Sequence, residues 1–306
     1  MKDRSLKTLY HIDEKQWMME YQRRLESKEC RQVAMTLKGN PCFYRMNEEV
    51  QTLLEEIHKI QNNSKHHQHK EQIKEWIVEE VYNTNKIEGI VCSKEELGEL
   101  YDSSIRQDAI GIGLLYGYQK IANHTFDEIQ HVEDIRKIYD AYIAKDVLVE
   151  DARDALDGRL FRKQDVYICK GTKRIHQGVH GEDEIIIELE KLIVMMEDET
   201  IPMLIRIAIF HCMFEMIHPF YNGNGRIGRL LVSYYLEKSY DTYIAFEISK
   251  YILLYRKQYY NVFTLVEDQR NKAELTPFII WFLKRCVDAY KLEEGNANNS
   301  DKKPLK

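Results

Sequence analysis

Helix breakers, paired cysteines and long apolar runs are all scarce in this chain. Only 5 prolines and 14 glycines occur among its 306 residues. A sandwich or barrel needs far more turn residues than that. With Leu, Ile, Glu and Lys recurring throughout, the composition favours a mostly helical protein. The six cysteines (Cys30, Cys42, Cys92, Cys169, Cys212 and Cys286) are scattered and form no CxxC pair, which leaves zinc-ribbon and thioredoxin-like chemistry unsupported. No run reaches the length of about 18 apolar residues that a spanning helix needs, so no membrane partner is expected. The first residues, MKDRSLKTLYHIDEKQ, hold no apolar signal core, and the expected setting is the reducing cytoplasm. The net charge of −6 is the wrong sign for a general nucleic-acid binder, so no nucleic-acid partner is expected.

Residues 1–70 read as a separate N-terminal helical region, polar overall, with a helix near Met46 to Ile60. It ends in QNNSKHHQHK, an exposed linker. His66, His67 and His69 there have no acidic or cysteine partner at ligand spacing, so a solvated loop is favoured over a metal site. From residue 71 to 88, Ile73, Ile77, Val81 and Thr84 fall on one helical stripe, and Gly89 is placed to end it. Helices are expected over 94–123 and 129–145. The stretch Gly158–Ile175, GRLFRKQDVYICKGTKRI, carries the one convincing strand signal, a β-hairpin with a Gly turn. Helices resume at about Glu182–Met196. Residues 203–217, MLIRIAIFHCMFEMI, are apolar nearly all round, as in a central buried helix. Further helices are expected over 226–238, near Leu253–Val266 and at Pro277–Tyr290, where Pro277 suits a first helical position. The tail 293–306 is expected to be disordered. The predicted fold is all-α, a helical bundle with one small β-hairpin, and residues 71–292 form its main domain.

The chemistry concentrates in His218–Arg229, HPFYNGNGRIGR. Gly223, Asn224 and Gly225 precede a helix, so their N–H groups and the helix N-terminus can cradle an anion. Arg226 and Arg229, three apart, lie on one side of that helix. Two guanidiniums beside such a cradle suit a polyphosphate. His218, just before the cradle, is placed to act as general base toward a hydroxyl. Phe220 reads as an anchor for the loop, and Asn222 faces the place where a divalent cation would help. A lone His-Pro, a lone GNG turn or two spaced arginines would each usually be structural. All of them within twelve residues are far more specific.

This run resembles the signature of the Fic family, HxFx(acidic or Asn)GNGRxxR, at every fixed position. The hairpin at 158–175 resembles the family's flap. IHQGVHG (Ile175–Gly181) and LTPFIIWFL (Leu275–Leu283) resemble its flanks, and the likeness covers roughly residues 75–290. The resemblance implies a protein adenylyltransferase. ATP is its co-substrate, Mg²⁺ or Mn²⁺ its metal, and AMP passes to a Ser, Thr or Tyr hydroxyl of a protein substrate, the chain itself included. In that reading His218 is catalytic, Asn224 and the amides of Gly223 and Gly225 bind phosphate, and Arg226 and Arg229 hold the outer phosphates. Asn222 is the metal position, where many relatives carry Asp. The flap residues Val166, Tyr167, Ile168, Cys169 and Lys170 pair with the target's backbone. Thr84-Asn85-Lys86-Ile87-Glu88-Gly89 resembles the family's inhibitory pattern (Ser/Thr)xxxE(Gly/Asn), which implies that Glu88 pairs with Arg229 while Thr84 steadies the helix. A helix C-terminus disfavours an unpaired carboxylate, in keeping with such a pair.

Three alternatives remain open: a nucleotide-binding regulator with little catalysis, transfer of another phosphate-containing group, and additional AMP removal by way of Glu88. A homodimer is a further expected assembly. His211 and Glu215, four apart, read as a core pair rather than a dyad. His176 reads as structural, and Tyr251, Tyr255, Tyr259 and Tyr260 as packing. P-loop and kinase signatures are absent.

Overall fold

The computed structural model describes residues 4–63, 72–102, 110–170, 173–240 and 242–300. His66, His67, His69, Gly171 and Thr172 lie outside the described residues. Helices dominate, as composition implies: the fold is all-α, with two small hairpins among the described residues rather than the single one expected.

Helices α1 (Leu6–Tyr10) and α2 (Glu14–Glu26) are N-capped by Ser5 and Asp13, whose side-chain oxygens accept from first-turn amides. Strands β1 (Cys30–Leu37) and β2 (Asn40–Arg45) then form the unforeseen hairpin. Its turn residues Lys38 and Gly39 both have positive φ, 50° and 77°, as a two-residue hairpin turn of matching twist requires. Val33, Met35 and Leu37 alternate inward, but of these only Val favours strands, which left the pattern faint in the sequence. Helix α3 (Glu48–Asn63) follows, and its buried Val50, Leu54 and Ile57 join the hairpin's inner face in the main core. A buried triad ties this region to the far end of the chain. Arg24 donates to one oxygen of Glu274 at 2.6 Å and Arg45 to the other at 2.8 Å.

Helix α4 (Ile73–Glu88) buries the expected stripe: Ile77, Val81 and Thr84 are fully enclosed. Its end is a Schellman motif. Gly89, at φ 80°, donates to Lys86 and Ile90 donates to Asn85. The 94–123 stretch resolves into α5 (Lys94–Asp102) and α6 (Ile112–Ala122), and the 129–145 stretch into α7 (Val132–Tyr142) and α8 (Ala144–Glu150). The second hairpin, β3 (Tyr167–Lys170) with β4 (Lys173–Gln177), is shorter than the 158–175 expected, because 158–166 is irregular.

Helices α9 (Glu182–Met196), α10 (Met203–Ile217), α11 (Asn224–Ser239), α12 (Thr242–Leu254), α13 (Arg256–Glu267) and α14 (Thr276–Ser300) complete the fold. Almost every side chain of α10 is buried, as an all-round apolar sequence demands. Helix α14 continues to Ser300, so residues 293–300, expected in a disordered tail, are helical. The lone Gly295 does not stop the helix, since an interior glycine costs only about 1 kcal/mol. Among the described residues no helix is long and apolar enough to cross a membrane.

Candidate active site

The candidate site is the loop between α10 and α11. His218 ends α10 in the left-handed conformation, φ 54°. That reversal is held by Arg162, a fully buried arginine that the sequence reading missed. Its Nε donates to the His218 carbonyl at 2.8 Å, and its other nitrogens donate to the carbonyls of Gln164, Val179 and Ile217. Phe220 is fully buried. Its ring stacks on Tyr139 at 3.7 Å and meets Phe161 edge-on. Gly223, φ 82°, caps α11, and a Cβ there would lie 2.6 Å from Ile143 Cγ2, so both space and backbone demand glycine.

Helix α11 begins at Asn224, two residues before the expected start, so the Gly-Asn-Gly cradle is its first turn. Asn224 lines the cavity, with its side-chain amide engaged by its own loop. Its Oδ1 accepts from Phe220 N at 2.9 Å and its Nδ2 donates to the Phe220 carbonyl at 2.8 Å. Asn224 thus braces the loop.

His218 lines a cavity of about 550 Å³ together with Glu88, Ile168, Ile175, Glu215, Gly225 and Arg229. Its Nδ1 faces the Glu215 carbonyl at 3.3 Å. A carbonyl only accepts, so Nδ1 carries the proton and Nε2 keeps a free lone pair. Burial, then the neighbouring His176 and Arg162, push the imidazole down to about 3, leaving it neutral and able to take a proton.

The two arginines part company. Arg229 faces the cavity. It donates to Thr84 Oγ1 at 2.7 Å, to the Thr84 carbonyl at 3.1 Å and to Glu88 Oε1 at 2.6 Å. Burial would lower its guanidinium, but Glu88 outweighs that and holds it above its usual value. The Glu88 carboxylate also lies against Gly225, where a Cβ would strike it. Arg226, expected beside Arg229 on the phosphates, instead forks onto Glu150 at 2.6 and 3.1 Å and is absent from the cavity wall. Three residues of helix leave side chains roughly 60° apart, enough to send the two guanidiniums to opposite partners.

Asn222 keeps its Oδ1 on its own loop, accepting from Gly223 N at 2.7 Å, and donates from Nδ2 to Asp154 at 3.1 Å. Asp154 was not foreseen. Among the described residues no three metal-ligating side chains converge. The donor set of one amide oxygen and one neighbouring carboxylate still fits Mg²⁺, which commonly takes one or two carboxylates and completes its shell from substrate phosphates and water.

The flap strands lie beside the cavity. Ile168 pairs with His176 across the hairpin, and both line the wall with Ile175. Tyr167, 37 % exposed, sits under the Arg174 guanidinium at 3.9 Å. Val166 precedes β3 and accepts from Gly178 N at the hairpin's base; Cys169 and Lys170 lie on β3. His211 and Glu215 do not pair. His211 Nε2 contacts the Tyr259 hydroxyl at 2.9 Å, and neither His211 Nδ1 nor Glu215 Oε1 has a partner among the described residues. Exposed Arg256 also lines the cavity, a cation that the sequence reading passed over.

A helical protein with a buried base beside a helix-N-terminal anion cradle is the class these features define. The Fic/DOC family profile matches residues 126–236, and that segment is a Fic domain. It is 23% identical over 277 residues to protein adenylyltransferase fic-1 of Caenorhabditis briggsae, a match covering 83% of this chain and 50% of the relative. A Fic family protein from Desulfovibrio desulfuricans G20 superposes with a TM-score of 0.65 at 21% identity, covering 86% of this chain and 78% of that one. Fic-1 from Caenorhabditis elegans superposes with a TM-score of 0.56 at 21% identity, covering 82% and 73%. The chain spans about half the length of the fic-1 relatives it matches.

Proposed function

We propose that this chain is a protein adenylyltransferase held off by Glu88. The observation that carries the reading is the position of His218: neutral, Nε2 free, beside the α11 N-terminus against whose Gly225 the Glu88 carboxylate lies.

When Glu88 withdraws, the Gly225 amide and the α11 N-terminus receive phosphate oxygens, and Arg229 is released to an outer phosphate. His218 Nε2 takes the proton of a Ser, Thr or Tyr hydroxyl. The hydroxyl oxygen bonds to the α-phosphorus, the bond to the bridging oxygen breaks, and pyrophosphate leaves. Asn222 and Asp154 are the residues that would hold Mg²⁺, which when bound neutralises phosphate charge. The target segment lies along the flap strands Tyr167–Lys170 and Lys173–Gln177.

Mass spectrometry of the Glu88→Gly protein after ATP and Mg²⁺ tests this. An added AMP on itself or on a lysate protein is expected. Bound nucleotide without transfer would establish the nucleotide-binding regulator instead.

A further inference from the structure

Three side chains from three parts of the fold form a chain of contacts that leads to His218. Lys38, in the β1–β2 turn, places Nζ 3.0 Å from Glu267 Oε1. Glu267, the last residue of α13, places Oε2 3.1 Å from His176 Nδ1. His176, on β4, sets its ring edge-on to that of His218, centroids 5.8 Å apart at 61°. The inner members are well enclosed: the His176 and Glu267 side chains are 10% and 12% exposed, against 34% for Lys38. His176 and Glu267 also separate two spaces, the nucleotide-sized cavity and a cleft of about 310 Å³ between the first hairpin and α9.

The flap needs such support. A two-stranded ribbon is marginal on its own, and its pairing is irregular between Ile168 and Cys169. Its strand β4 therefore depends on contacts to the body of the protein, and His176 Nδ1, 3.1 Å from Glu267 Oε2, is one of them. Burial would raise the Glu267 carboxyl, but His176 and Lys38 outweigh it and hold it below the usual range, so the anchor stays anionic.

We propose that Glu267 and His176 are positioning residues for proton transfer at His218. Lys38 fixes Glu267, Glu267 fixes His176, and the His176 ring fixes both the flap strand and the plane of the base. Neither residue touches the reacting atoms. The proposal rests on the adenylyltransferase reading above, and the first hairpin, remote in sequence, becomes part of the catalytic support through Lys38.

The test uses the full chain in the Glu88→Gly background, with Glu267→Gln, His176→Gln and Lys38→Met. The first two should lower kcat for AMP transfer by about tenfold or more, since small misplacement of a base is costly. The Kd for ATP should stay within about twofold of the parent's. The double variant should be no slower than the worse single, because the two act as one chain. Lys38→Met, at the exposed end, should show a smaller loss of the same kind.

The acid limb of the rate profile gives an independent readout. The charged and titratable groups around His218 are His176 from β4, Arg162 before β3, Glu215 from α10, Tyr221 and Arg229 at and after the loop, Arg256, Tyr259, Tyr260 and Glu267 from α13, and Glu88 from α4, which the Glu88→Gly background removes. His176 is one of those that lower the His218 imidazole. Its loss therefore moves the acid limb to higher pH. Unchanged kcat in folded variants overturns the proposal. So does a parallel fall of kcat, ATP affinity and melting temperature, which marks a merely structural role. Should the Glu88→Gly parent transfer no AMP, the adenylyltransferase reading fails by itself. Hydrogen exchange of the two flap strands then still decides the anchoring, with faster exchange expected in Glu267→Gln and unchanged exchange overturning it.

Discussion

Glu88 Oε1 lies 2.6 Å from Arg229 Nη2, across a separation of 141 residues, and the same carboxylate rests on Gly225 at the start of α11. One side chain thereby pairs with the cavity-facing arginine and packs on the Gly225 backbone beside it. The Schellman end of α4 fixes this geometry, because it makes Glu88 the final helical residue and turns the chain away at Gly89.

Replacing Glu88 by Gly should raise AMP transfer by at least about tenfold, the scale of a 1–3 kcal/mol coupling. Radiolabel incorporation from ATP, compared at equal protein concentration, checks it. Equal rates for the two proteins would remove the inhibitory role.

The metal position should respond to charge. Asn222→Asp should lower the Mg²⁺ concentration needed for half-maximal binding of ATP, and Asp154→Ala should raise it. Calorimetric titration of Mg²⁺ at fixed ATP reads both. Unchanged affinity in the two variants would place the cation elsewhere.

Glu274 accepts from two buried arginines, Arg24 and Arg45. Glu274→Ala removes the carboxylate that the two arginines share, leaving Arg24 its contact with Glu20, and should cost about 3 kcal/mol. Urea denaturation measures it; a loss under about 1 kcal/mol, the scale of an exposed pair, would contradict the buried triad.

Glu80 on α4 is fully buried. It accepts from Ser249 N at 3.1 Å and from the hydroxyls of Ser249 and Tyr118. Burial pushes its carboxyl up to about 8 from 4.5. The folded state therefore binds the extra proton between those values, and this group's contribution to stability falls as pH rises through that window, levelling off above about 8. Glu80→Gln mimics the protonated form. It should flatten that slope and raise the melting temperature at pH 8 relative to wild type, as differential scanning calorimetry at several pH values would show. Parallel curves for the two proteins would mean Glu80 is already ionised in the fold.

What the sequence made legible was local. The helix α4 stripe, the buried character of α10, the glycine stop at 89 and the twelve-residue loop all depend on neighbours along the chain, so periodicity and spacing expose them. The partners of those residues come from elsewhere. Glu150, Asp154, Arg162 and Glu267 are ordinary charged residues in their own segments and gain meaning only when folding brings them to the loop. Arg226 shows the limit of helical arithmetic: spacing put it beside Arg229, but Glu150 lay on its side of α11. The first hairpin did carry a signal, Val33, Met35 and Leu37 in alternation before Lys38-Gly39, too weak in strand propensity to stand out.

The place beside Gly225 and Arg229 is taken by the chain's own carboxylate, that of Glu88. On the adenylyltransferase reading proposed above, a productively bound nucleotide and Glu88 are then rivals for Arg229. The apparent affinity for ATP equals the intrinsic affinity scaled by the fraction of molecules in which Glu88 has swung out. Any ligand or partner that loosens α4 will register as tighter nucleotide binding, and a rising nucleotide concentration will itself draw the helix end away.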